Sequence, residues 1–194
     1  MPETTFPTEV IDLPSKGYLY PEKSPLSSGQ IELKYMTAKD EDILTSQNLI
    51  AKGVVLDVLL DNLIVDKKIK VSDLLIGDKN AILIAARVLA YGKQYEFDVT
   101  SPVTGEPTTH NLDLTSLKDI SIDFSKMTKG QNEFEFTLPT TDRVIKYKLL
   151  TSGDVDAIEK RAKSLSKISD IDRSLTTRLK HMILEVDGNS ERSV

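Results

Sequence analysis

The stretch IELKYMTAKDEDIL, Ile31 to Leu44, decides the fold class of this 194-residue chain. Ile31, Leu33 and Tyr35 alternate with Glu32 and Lys34, the period-2 signature of a half-buried strand. Thr37 follows with a hydroxyl suited to capping a helix, and Asp40 stands three residues on, in the capping-box position. Asp is shorter than the preferred Glu or Gln, but its charge suits a helix N-terminus. The pattern returns as IKYKLLTSGDVDAI, Ile145 to Ile158, where Lys148, Thr151, Asp154 and Asp156 repeat Lys34, Thr37, Asp40 and Asp42. Two accounts stay open. The stretches are either two copies of one strand–Thr-cap–helix unit around a shared sheet, or unrelated junctions using the same capping chemistry.

Working outward, residues 1–30 hold five of the eight prolines and predict an extended arm, because Pro donates no ladder hydrogen bond and biases its predecessor away from helix. The arm carries Phe6, Val10, Ile11, Leu13, Tyr18, Leu19 and Tyr20. It is expected either to pack along its own domain or to dock on a neighbour by extended contacts, which makes those seven residues candidate partner contacts. After Thr37 a first helix is expected from Ala38 to a break near Ser46 to Asn48. A second should span Leu49 to Val65, and a third Lys79 to Tyr91, ended by Gly92.

From Gln94 the period changes. Tyr95, Phe97 and Val99 alternate, TSPVTGEPTT turns, and Leu112 and Leu114 alternate again, which predicts a hairpin. Ile120, Ile122 and Phe124 predict a short strand, as do Phe134, Phe136 and Leu138. Val144 to Leu150 is the second copy of the opening strand. Thr151 caps a helix to about Ser166, and Leu175 to Val186 predicts a last amphipathic helix closed by Gly188. The expected organisation is α+β: arm 1–30, strand plus helical subdomain 31–92, β-rich region 93–150, C-terminal helices 151–188 and polar tail 189–194, within one compact domain.

Composition narrows function by exclusion. A net charge of −5 argues against a dedicated nucleic-acid binder, which normally shows a basic face. Cysteine is absent, so disulfides, thiolate catalysis and Cys-based zinc sites are out. The opening MPETTFPTEVIDLPSKG lacks a basic start followed by an apolar run, so no signal peptide is expected. No apolar run approaches the ~20 residues of a membrane span.

Residues that could carry chemistry are few. No GxSxG, HExxH, P-loop or EF-hand spacing occurs. His110 is expected in the Pro/Thr-rich tip of the hairpin and His181 among Arg178, Lys180 and Met182. Both read as solvated surface. The acids Asp40, Glu41, Asp42, Asp154 and Asp156 could ligate a hard cation, but capping and the helix dipole explain them more economically. No enzyme, cofactor or metal is expected. Thr37, Asp40, Thr151 and Asp154 are expected to act as structural caps.

Some residues carry a specific likeness. LPSKGYLYP, the MTAKDEDIL junction and NLIAKGVVLDVLL together resemble the baseplate hub protein family of T4-like contractile-tailed phages, most specifically over Leu13 to Ile64. The resemblance implies a non-enzymatic tail protein in baseplate hub assembly, as hub subunit or assembly chaperone. Its partners would be other hub or tape-measure proteins, met in the host cytoplasm or in the virion tail. Relatives in that family carry a CxxCG-type knuckle in the middle hairpin. This chain has TSPVTG there, with Ser101 and Thr104 in place of thiolates, and a hydroxyl is not a structural zinc ligand. The alternatives from other classes are a host-directed adaptor and, least favoured, a small metal-dependent hydrolase.

Overall fold

The computed structural model describes residues 7–166 and 173–190 and shows an α+β fold whose described sheets are all antiparallel. Strand β1 (Thr8–Asp12) pairs with β2 (Gln30–Lys34), Ile11 opposite Ile31. The arm is therefore not merely extended. It opens with a strand, and residues 13–29 form a compact loop that returns the chain to β2. Leu13 donates its N–H to Gly29 O (2.8 Å), Lys16 donates to Leu13 O (2.8 Å), and Tyr18 donates to Ser15 O (3.0 Å). The loop closes on two glycines with left-handed backbone, Gly17 (φ 70°) and Gly29 (φ 76°). A Cβ at Gly17 would lie 2.5 Å from Gly29 N, and one at Gly29 would lie 2.7 Å from Lys16 O. Only glycine fits at either place.

Past β2, helix α1 (Ala38–Leu44) follows Thr37. The helix expected over Leu49 to Val65 is instead two, α2 (Gln47–Lys52) and α3 (Val55–Leu63). Gly53 ends α2 in a Schellman arrangement, with Gly53 N–H on Ile50 O (2.9 Å) and Val54 N–H on Leu49 O (3.1 Å). After α3 the chain touches the far edge of β2, through a Leu33–Ile64 bridge and Val65 N–H on Glu32 O (3.0 Å). Helix α4 (Ile76–Tyr91) starts three residues earlier than its apolar stripe suggests and takes Asp78 into its first turn.

The hairpin is present as β3 (Gln94–Thr100) and β4 (Pro107–Asp113), with Phe97 opposite His110. No strand forms at Ile120 to Phe124. There Asp123 accepts the N–H of Ser125 (3.0 Å) and turns the chain into a single helical turn. Strands β5 (Phe134–Thr137) and β6 (Val144–Tyr147) pair, and helices α5 (Ser152–Ser166) and α6 (Ser174–Met182) follow. The expected helix to Val186 stops at Met182. Residues 183–186 become β7 (Ile183–Val186), which completes the order β5-β6-β7. β6 offered an unpaired edge, and Ile183 and Val186 suit a strand as well as a helix face.

The two copies of the opening unit do not share a sheet. β2 pairs with β1 and β6 with β5 and β7. The second unit is instead tied to the chain just before α4, by Ile76 N–H on Leu150 O (3.2 Å) and Ser152 N–H on Leu74 O (2.8 Å). The main core cluster draws on the arm loop, β2, α3, the 69–75 connection and α4, with Leu33, Leu60, Leu74 and Ile82 fully buried.

Candidate interaction surface

The arm is anchored at one buried carboxylate. Ser15 donates its N–H to Asp78 Oδ1 (2.9 Å) and its hydroxyl to Oδ2 (2.7 Å), and Tyr20 donates its hydroxyl to Oδ2 (2.6 Å). The Tyr20 oxygen in turn accepts the N–H of Leu75 (2.9 Å), satisfying a donor at the N-terminus of α4. Burial pushes the Tyr20 hydroxyl far up, reinforced by the hydrogen bond to Asp78 and by its charge, so the proton stays on the ring. This explains the LPSKGYLY string physically. Leu13, Leu19 and Tyr20 fill the core, Ser15 and Tyr20 bind Asp78, and Gly17 passes Gly29.

That packing sorts the seven arm residues. Leu13, Leu19 and Tyr20 are buried in the protein's own interior. Tyr18 is half-buried, its ring 4.8 Å from that of Phe124. Ile11 packs against the core cluster, while Val10 is 55% exposed. Phe6 lies outside the described residues. A groove of about 540 Å³ runs beside β1, lined by Ala81, Ile84 and Val88 of α4 and by the charged residues Glu9, Asp12, Lys118 and Asp119. Among the described strands β1 pairs only with β2, so its other edge is unpaired. A free strand edge offers main-chain hydrogen bonds to an added strand.

The two junctions share one geometry. Asp40 Oδ2 accepts the Thr37 N–H (2.8 Å) and hydroxyl (2.7 Å). Asp154 Oδ2 accepts the Thr151 N–H (3.1 Å) and hydroxyl (3.2 Å). Asp40 also accepts from Asn62 on α3, and Lys148 reaches both oxygens of Asp154 at 2.8 Å. Burial pushes the Asp40 carboxyl up, but the Thr37 and Asn62 hydrogen bonds and the Lys34 charge outweigh it and hold it below the usual range. Asp154 is held low against the same burial by Lys148 and Thr151. Carboxylates occupied in this way have little left to offer a cation.

Other polar groups tie elements together. The Lys79 ammonium pairs with Asp57 of α3 and donates to the Ser152 hydroxyl (2.7 Å), joining α3, α4 and α5. Tyr91 at the end of α4 hydrogen-bonds Glu41 of α1. At the hairpin tip the Ser101 hydroxyl accepts the N–H groups of Val103 (3.3 Å) and Thr104 (3.2 Å), and Ser101 N–H bonds Glu106 O (3.0 Å). The turn is thus organised by hydroxyl and main chain. His110 lies on β4 with its ring 5.8 Å from Phe97, and His181 Nδ1 lies 2.9 Å from Thr177 O.

Sequence reasoning missed Ser15, Asp78 and Lys79. Asp78 stood just outside the expected helix. Its signal was an acid at the N3 position following an apolar Leu-Leu-Ile run. Among the described residues no group of three or more His, Cys, Asp or Glu is placed to hold a metal ion, and no helix is long and apolar enough to cross a membrane.

Comparison with known proteins agrees with the likeness carried by the arm and junction. A family model described as T4 bacteriophage base plate protein matches residues 11–182, from within β1 to the last residue of α6. Searches of curated proteins and of solved structures returned no significant match.

Proposed function

The chain belongs to the T4 bacteriophage base plate protein family, and from that membership we propose that it is a non-enzymatic tail protein acting in assembly of the baseplate's central hub. It serves there as a hub subunit or as a hub assembly chaperone, in the host cytoplasm during assembly and in the tail baseplate where it is retained. The family match over residues 11–182 carries this reading. Two structural observations support it. Of the acids that might have served chemistry, Asp40 is engaged with Thr37 and Asn62, and Asp154 with Thr151 and Lys148. The polypeptide also leaves a strand edge at β1 beside an apolar groove.

The partner in this reading is another hub or tape-measure protein. It adds an extended segment along β1, where Glu9, Asp12 and Asp119 outnumber Lys118 among the lining residues and favour basic flanking residues on that segment. Cross-linking mass spectrometry in a lysate of phage-infected cells tests it. Cross-links from the groove to hub or tape-measure proteins are expected. Links confined to bacterial proteins would overturn the reading and favour a host-directed adaptor. Mass spectrometry of purified tails separates subunit from chaperone.

A further inference from the structure

The free edge of β1 has a defined length and a defined end. Tyr35 N–H bonds Pro7 O (3.1 Å) and Leu13 N–H bonds Gly29 O (2.8 Å), and between them Glu9 and Ile11 stand opposite Leu33 and Ile31. In an antiparallel pair such bonded positions alternate with positions whose main chain faces away. Thr8, Val10 and Asp12 therefore turn their N–H and C=O groups outward. The next position in the alternation is Pro14, which has no N–H to offer. An added strand thus finds three donor positions and stops at Pro14, after about the five residues of β1.

At that stop a second hollow begins. Pro14 and Gly77 line the groove beside β1, and they also line a cavity of about 310 Å³ beyond it. Leu19, Leu75, Phe124, Met127, Phe134 and Tyr147 form most of its wall. Phe134 and Tyr147 stand opposite each other on β5 and β6, 5.5 Å between ring centroids, and the Phe124 ring is held 4.8 Å from that of Tyr18. Ile122 also lines the cavity and is 42% exposed, so the cavity is open to solvent. Ser15 and Asp78 reach it too, but their polar atoms are bound to one another at 2.9 Å and 2.7 Å, and Asp78 also holds the Tyr20 hydroxyl. What is left to an occupant is aliphatic and aromatic wall, which gains by receiving apolar surface. The volume lies at the lower end of those that enclose a ligand and is ample for one large side chain.

We propose that the segment added along β1 ends in an apolar anchor, a Phe, Leu or Met side chain that passes Pro14 and Gly77 and enters this cavity. The inference rests on the docking along β1 proposed above and specifies the chemistry of the partner. That partner carries a short extended stretch with Lys or Arg, followed by the uncharged anchor. The basic residues answer Glu9, Asp12 and Asp119, against which the groove sets only Lys118. Main-chain pairing supplies affinity in such a contact, and the pocketed side chain supplies specificity.

Benzophenone side chains placed at Ile84, in the groove, and at Ile122, in the cavity, test it in the full chain expressed in phage-infected cells. Both positions are partly exposed, and unchanged thermal melts would show both proteins folded. The two sites should cross-link one partner within about ten residues of each other, the reach of a short extended segment. The Ile122 link should map to a Phe, Leu or Met, with Lys or Arg nearby on the Ile84 side. A synthetic peptide of the linked segment should bind the purified chain at least tenfold more weakly when its anchor becomes Asp, or when the chain carries Ile122→Asp. Links from Ile84 to a tail protein with none from Ile122, or an anchor-to-Asp peptide that binds as tightly as its parent, would overturn the anchor and leave the hub reading standing. Links from both sites to one such segment of a bacterial protein would support the anchor and overturn the hub reading. No link from either site would overturn the docking along β1 and the anchor with it.

Discussion

The hydroxyl of Tyr20 lies 2.6 Å from Asp78 Oδ2, across 58 positions of sequence, and ties the N-terminal loop to the first turn of α4. The same oxygen receives the Leu75 N–H. Tyr20→Phe keeps the ring but leaves a buried carboxylate short of a donor and a buried N–H without an acceptor. The expected cost is about 2–3 kcal/mol, read as a lower urea midpoint at constant m. A change under about 0.5 kcal/mol, the usual surface range, would mean that water replaces the hydroxyl at no cost.

Gly17 and Gly53 separate two reasons for needing glycine. Both have positive φ, 70° and 71°, but a Cβ at Gly53 meets nothing within 4 Å while one at Gly17 meets backbone at 2.5 Å. Gly53→Ala should cost about 1–2 kcal/mol, the left-handed penalty alone. Gly17→Ala should cost visibly more, because neither Gly29 nor Ser27 can move without opening the loop. Equal thermal shifts for the two variants would show that the close approach relaxes freely.

Lys79 stands between Asp57 and Ser152. Lys79→Met strands the Asp57 carboxylate in a half-buried place. The cost should be about 2 kcal/mol, below that of a fully buried pair because the site is partly solvated. Adding Asp57→Leu should recover most of it, and denaturant titration of the two variants decides. A double variant no better than Lys79→Met would remove the charge account.

Acid should loosen both junctions together. Asp40 and Asp154 have folded pKa values below the ordinary carboxylate value. Their contribution is therefore complete above the unfolded pKa of about 4 and is lost as pH falls through the lower folded values. Asp40→Asn/Asp154→Asn should be less stable than the parent at neutral pH and lose less on going from about pH 5 to about pH 2. Parallel pH–stability curves for the two proteins would show that these carboxylates are not linked to folding.

The sequence is legible where one local rule acts without a rival. The Ile31/Leu33/Tyr35 and Tyr95/Phe97/Val99 alternations each report a geometry set by near neighbours. It is ambiguous where two patterns fit. NLIAKGVVLDVLL keeps its apolar spacing across Gly53, so the Schellman stop looked like a helix interior. Leu179, Ile183 and Val186 suit a helix face, and only the vacant edge of β6, far away in sequence, makes residues 183–186 a strand. The arm was the hardest case. Its composition leaves packing on its own domain and docking on a neighbour both open, and the contact of Ser15 and Tyr20 with Asp78 is a tertiary relation that no local period encodes. The surface left over, Val10 at the β1 edge and the groove along α4, was not visible in the arm's composition.

The central claim is a role in baseplate hub assembly through contacts rather than chemistry. The most direct measurement is affinity purification of the tagged full chain from phage-infected cells, with bound proteins identified by mass spectrometry, against a Val10→Pro variant that removes an outward main-chain donor of the β1 edge without touching the core. The account predicts that hub or tape-measure proteins co-purify with the parent and are depleted with the variant. A parent chain that brings down no tail protein would contradict it.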